Sequence, residues 1–171
     1  MVQHQTAGAN GLGDTFLSIK GAKSGVIKGE AQDSSHANEI EVVSWTWGME
    51  ARPALGGSQA TGKAIVHELK IVKRVDSAST PLMSALRRNE MIEKAVLTQR
   101  KAGKTQLEFF KVTIEQGRVT ALTIEADKAG GPDLFEHLSF SFNKITVEYV
   151  PQGPDGQAKG SMLYTDQFGD S

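Results

Sequence analysis

The chain has 171 residues, 39% of them hydrophobic, enough for a sizeable core, since a domain of this length removes about two-thirds of its unfolded surface from water. Its 19 basic and 20 acidic residues leave a formal net charge of -1, and their interspersed signs exclude a broad electrostatic footprint for nucleic acid or anionic lipid. Cysteine is absent, which excludes disulfides and thiolate metal sites, and no apolar run approaches the roughly 20 residues of a membrane-spanning helix.

Residues 1–14 are small and polar, with few large apolar side chains before Phe16, and are expected to form a flexible extension. They lack the basic stretch and apolar run of a secretory signal. Residues 15–171 are expected to form one domain. Its dominant pattern is period two, the mark of strands with one buried face: Leu17 and Ile19 alternate with Phe16, Ser18 and Lys20, Val26 and Ile27 follow, and Glu39 to Trp47 is dense in β-branched and aromatic residues. The loop from Met49 to Gly62 comes next, then a strand from Ile65 to Val72 with Ile65, Leu69 and Ile71 on one face.

A helix is expected after that, with Ser79 or Thr80 as N-cap, Pro81 at the first helical position and an apolar stripe of Leu82, Met83, Ala85 and Leu86 ending near Arg88 to Glu90. Strands return at Ala95 to Gln99, at Phe110 to Ile114 and at Leu122 to Ile124, with a bend or bulge at Gly117. Two runs switch buried parity: Ile40 and Val42 give way to Val43, Trp45 and Trp47, while Leu138, Phe140 and Phe142 give way to Ile145, Val147 and Tyr149 near Asn143. Such slips mark strands that pass from one sheet to another. The fold class is therefore mainly β, a tight antiparallel barrel of two sheets with one short flanking α-helix.

No motif points to catalysis. The run from Gly57 to Lys63 departs from the phosphate-loop pattern at Ala64, where a Ser or Thr would ligate magnesium, and a strand rather than a helix follows it. His4, His36, His67 and His137 are scattered without metal-ligand spacing, and there is no nucleophile elbow. Neither cofactor nor metal is expected. Glu39, Glu41, Glu108 and Glu115 alternate with apolar residues and read as a solvated face, and His36 in Asp33-Ser-Ser-His36 reads as a support of local backbone. Trp45 and Trp47 share a sheet face and are expected in a core or subunit interface. A carbohydrate- or ligand-binding β-sandwich, in which the two indoles would be exposed beside a groove, is the alternative.

The segments Phe16-Leu-Ser-Ile-Lys-Gly21, Ile27-Lys-Gly-Glu30, Asp33, His36, Glu39-Ile-Glu-Val42 and Ser44-Trp-Thr-Trp-Gly48 resemble the N-terminal signature of the hemolysin-coregulated protein (Hcp) family. The resemblance continues through Ser79-Thr-Pro-Leu82, Leu97-Thr98, Arg100-Lys-Ala-Gly103, Phe140-Ser-Phe-Asn143, Tyr149-Val-Pro-Gln152, Asp155-Gly156 and Lys159-Gly160. It implies a non-enzymatic tube subunit of a bacterial type VI secretion machine, forming homohexameric rings that stack. The implied partners are further copies, the spike protein, the sheath and effectors, with residence in the cytoplasm before firing and export without a signal peptide. The resemblance places an extended loop at Met49 to Gly62, with Arg52, Leu55 and Gln59 as candidates to reach a neighbouring ring. The segment Arg87-Arg88-Asn89-Glu90-Met91 departs from the Gly-rich stretch the family would have there.

Overall fold

Period-two alternation becomes eleven strands and one helix in the computed structural model, which describes residues 14–51, 64–101 and 106–169. In chain order these are β1 (Thr15–Gly21), β2 (Gly25–Ile27), β3 (Ile40–Thr46), β4 (Met49–Glu50), β5 (Ile65–Val66), β6 (Leu69–Arg74), α1 (Ser79–Arg87), β7 (Ile92–Arg100), β8 (Glu108–Ala126), β9 (Leu134–Ser141), β10 (Lys144–Tyr149) and β11 (Met162–Gln167). Strands β8, β7, β1, β3, β6 and β9 pair in that order, and β9 pairs back to β8, closing a six-stranded antiparallel barrel. Beyond it, β10 and β11 continue the sheet from β8, and β2 adds to β1. The expected fold class is what the structure shows.

Closure depends on β8, whose 19 residues serve both sheets. Its first half, Glu108 to Gly117, pairs with β7, and its second half, Arg118 to Ala126, pairs with β9. The bend between them falls where the sequence placed it. Gln116 has φ +53°, and a Cβ on Gly117 would lie 2.1 Å from the Ser141 carbonyl oxygen, so only glycine admits this approach. The inward faces meet in one cluster that includes Leu17, Ile19, Ile71, Leu97, Ile114 and Phe140. Each such side chain contributes about 1.5–3 kcal/mol by leaving water.

The parity switches are real, with two residues misplaced. In β3 a bulge between Val42 and Ser44 shifts the register; Val43, expected on the buried face, is the bulged residue and is exposed, while Trp45 returns inward opposite Ile71. The run from Phe135 to Tyr149 is two strands, and its parity changes because β9 and β10 pair with different neighbours. Tyr149, also expected inside, is exposed at the end of β10, whose Ile145 is the residue that reaches the core.

Two further expectations are corrected. The strand from Ile65 to Val72 is broken: β5 pairs with β4 in a separate ribbon, and the His67 amide donates to the Gly48 carbonyl at 2.9 Å, so Ile65 does not share a strand face with Leu69 and Ile71. The helix N-cap is Ala78, without a side-chain cap, because the Ser79 hydroxyl is engaged elsewhere. Pro81 is then the third helical residue, where its missing N–H is still one of those a helix start leaves unpaired. Leu82 and Ala85 are buried, as the stripe predicted.

Candidate functional site

Two polar clusters fasten the irregular segments to the barrel. The first covers the outer face of β1. Phe16 is on that face and yet fully buried, because the segment 28–39 folds over it: the His36 ring stacks on Phe16 with centroids 4.4 Å apart and planes 7° from parallel. The Arg100 guanidinium covers the same ring at 5.0 Å. His36 Nδ1 contacts the Glu39 carboxylate, and Nε2 lies 2.7 Å from Glu108 Oε1. Arg100 donates to Asp33 Oδ2 at 2.8 Å, while Asp33 Oδ1 accepts the Ser35 amide at 2.9 Å.

The electrostatics follow from these contacts. The hydrogen bond from Arg100 holds the Asp33 carboxyl below the usual carboxylate range despite burial, and Asp33 in turn raises Arg100. At Glu108 burial pushes upward, but the hydrogen bonds from Lys111 and His36 together outweigh it and hold the group low. Gly29 fits beneath this segment because a Cβ there would lie 2.5 Å from the Glu39 carbonyl oxygen.

The second cluster is inside. Lys73 is fully buried, and its ammonium donates to Asp76 Oδ1 at 2.8 Å, Glu136 Oε2 at 2.9 Å, the Arg74 carbonyl at 3.0 Å and Ser79 Oγ at 3.1 Å. Ser79 donates to Glu136 at 2.5 Å and accepts the Asp76 amide at 3.0 Å, which ties the first residue of α1 to β6 and β9. Sequence reasoning missed both clusters. Glu39 and Glu108, expected on a solvated face, instead flank a buried histidine, and His36 reaches across 72 residues to Glu108 as well as supporting its own turn. Chain-local patterns carry no signal for such a contact.

The candidates named from sequence are scattered. Trp45 donates from Nε1 to Gln99 Oε1 at 3.0 Å and stacks on Phe110 with centroids 5.8 Å apart. Trp47 packs partly against the core, and its buried Nε1 finds no acceptor among the described residues. Arg52, Leu55 and Gln59 lie outside the described residues, as do the phosphate-loop-like run from Gly57 to Lys63 and the extension up to residue 13; only the base of that loop, the β4–β5 ribbon, is described. His67 and His137 are exposed and lie beside Glu50 and Glu125 at 3.9 and 3.4 Å. Among the described residues no group of three or more His, Asp or Glu is placed to hold a metal ion, and no helix is long and apolar enough to cross a membrane.

What remains is surface. Among the described residues β11 pairs only with β10, and it exposes Met162, Leu163 and Tyr164. Tyr149, directly opposite Met162, extends this apolar strip onto β10.

The family model described as "Type VI secretion system effector, Hcp" matches residues 16–149. This chain belongs to the Hcp family. Protein hcp1 of Pseudomonas aeruginosa is 35% identical over 154 residues, covering 88% of this chain and 91% of that protein. The crystal structure of Hcp1 from Salmonella typhimurium superposes with a TM-score of 0.70 at 27% identity, over 91% of this chain and 95% of that one. A type VI secretion system effector from Yersinia pestis gives 0.71 at 25% identity, over 90% and 99%. The chain is thus a type VI secretion tube/effector protein of a secreted, structural family. Five of the residues that carry the Hcp resemblance, Phe16, Asp33, His36, Glu39 and Arg100, build the clasp over β1.

Proposed function

We propose that this chain closes into a homohexameric ring, that such rings stack into the inner tube of the type VI machine, and that the protein catalyses no reaction. The observation that carries the reading is the edge of β11. An edge strand, paired on one side only among the described residues and bearing exposed Met162, Leu163 and Tyr164, is a liability on a solitary molecule, because free backbone groups and apolar side chains invite another chain. A neighbouring copy that covers it in a head-to-tail ring removes the liability, since a heterologous contact that closes on rotation leaves no edge open.

Residues 15–171 then act as the tube module and 1–14 as an appended extension. The loop from Met49 to Gly62, with Arg52, Leu55 and Gln59, reaches a neighbouring ring, and Trp45 and Trp47 serve the core or the subunit contact. The spike protein, sheath and effectors are the other partners. The protein waits in the bacterial cytoplasm and leaves through the machine itself, without inserting in a membrane.

Light scattering on the purified protein tests the ring. A mass of six chains is expected, and a Met162→Lys/Leu163→Lys variant should fall toward the monomer while keeping the parent melting temperature. A parent protein that stays monomeric at high concentration would sink the reading.

A further inference from the structure

We infer that His36 is a charged buckle: it carries a proton on each ring nitrogen at neutral pH, and loss of either proton releases the segment 28–39 while the barrel beneath stays folded. The inference concerns one subunit and stands apart from the ring reading above.

The segment is built to come away as a unit. Its backbone bonds close on itself: the Gly29 and Ala31 amides donate to the Asn38 and Glu39 carbonyls at 2.8 and 3.0 Å, and the Asn38 amide returns to the Ala31 carbonyl at 2.9 Å. Side chains fasten it to the rest of the chain. Arg100 of β7 donates to Asp33 at 2.8 Å, and Glu108 of β8 meets His36 at 2.7 Å. Ahead of α1, the Ser77 amide and hydroxyl donate to Glu30 and to the Lys28 carbonyl at 2.8 and 3.1 Å.

Of these ties, the one at His36 depends on charge at both of its ends. Glu39 faces Nδ1 and Glu108 faces Nε2. A carboxylate only accepts hydrogen bonds, so both nitrogens must donate, and only the imidazolium holds the two protons this takes. The alternative is a proton on one of the carboxyls. At Glu108 burial pushes toward that form, but the hydrogen bonds from Lys111 and His36 outweigh it; Glu39 keeps part of its side chain in water, which favours its ionised form. The Phe16 ring lies flat under the imidazole at 4.4 Å, an aromatic face that favours a cation.

The remaining charged groups around the ring do not supply a substitute. Arg100 covers the same Phe16 ring but is paired with Asp33, and Lys111 lies 3.2 Å from the far oxygen of Glu108. Lys101 turns to the Phe109 ring at 5.2 Å. Glu41 of β3 stands opposite Phe16, and the Asp14 carbonyl accepts the Arg100 amide, so both bring further negative charge to the neighbourhood. Once His36 loses a proton, a bare nitrogen lone pair faces a carboxylate oxygen in a buried site, where an unmet acceptor is costly. The segment then keeps its own turns but loses its hold on β8.

Two measurements on the full chain test this. Solid-state nitrogen NMR of histidine-labelled protein, in the His4→Gln/His67→Gln/His137→Gln variant that leaves His36 as the one signal, reads the protons directly. Both nitrogens should be protonated at about pH 7. Hydrogen exchange read by mass spectrometry then follows the opening. Between about pH 7 and about pH 10, protection of residues 28–39 should fall about tenfold or more relative to β1, β7 and β8, after correction for the intrinsic rise in exchange rate. Glu39→Gln keeps an acceptor but removes a charge, so in that variant the fall should come at lower pH. A bare nitrogen on His36 at neutral pH, protection of 28–39 that ignores pH, a fall that Glu39→Gln does not move, or a barrel that loses protection together with the segment would each overturn the inference.

Discussion

The two polar clusters use the same chemistry at different depths. Around Lys73 the central ion pair is sealed: Lys73 and Glu136 are both 0% exposed, with Asp76 partly exposed beside them, and the cluster pins a helix to the inner wall. Around His36 the charges sit at a rim. Asp33 and Arg100 are buried, but Glu108 keeps about a third of its side-chain surface in water, at 32% exposed, and the cluster pins a loop to the outer wall. The difference teaches where each can be perturbed. A sealed ion pair answers to substitution alone, because its charges cost several kcal/mol to leave unpaired. A rim pair answers to solvent as well.

The largest expected effect is therefore inside. Lys73→Met strands the Glu136 carboxylate with no water to receive it and should cost about 3–5 kcal/mol, read as a lowered urea midpoint. The double variant Lys73→Met/Glu136→Leu should recover most of that loss, since apolar replacement of a whole buried pair is often neutral or better. If the double variant is as unstable as the single one, the pair is doing more than compensating its own burial.

At the rim the effect should be smaller and local. Asp33→Asn removes the charge that Arg100 pairs with and should cost about 2 kcal/mol, with amide exchange rising chiefly in residues 28–39. Uniform loss of protection across the barrel would erase the distinction between the two clusters.

The smallest effect is the pH response, and its sign follows from the low-held carboxyls. Asp33 and Glu108 sit below ordinary values of 3.8 and 4.5 in the folded chain, so in that window the unfolded chain binds more protons. Their stabilisation is full above the unfolded values and is lost as pH falls through the folded ones. The stability gap between the parent and Asp33→Asn should be constant near neutrality and narrow below about pH 4. A gap that widens in acid would reverse the assignment.

Much of the barrel was legible in the chain because its strands have one wet and one dry face. The slip near Val43 and the turn at Gly117 showed as breaks in period two before any pairing was known. The interruption at His67 was not legible, since alternation runs straight through it and only the pairing of β5 with β4 breaks the strand. Nor were the clusters. Lys73 and Glu136 are cross-strand neighbours drawn from β6 and β9, and in sequence each is one more charge in an alternating run. Of the surface candidates, the sequence pointed to the loop after Trp47, whereas the exposed strip on β11 drew no notice, because Met162 to Tyr164 has the composition of a core strand.

The length of β8 has a consequence for how this protein comes apart. One continuous strand is shared by both walls of the barrel, so neither wall can part from the other without breaking it. Separating β9 from β8 opens the closure that keeps β7 in register on the same backbone, and the reverse holds equally. Loss of structure should thus be cooperative, one all-or-none transition, so that a subunit under load in a contracting machine either keeps its whole barrel or loses it at once.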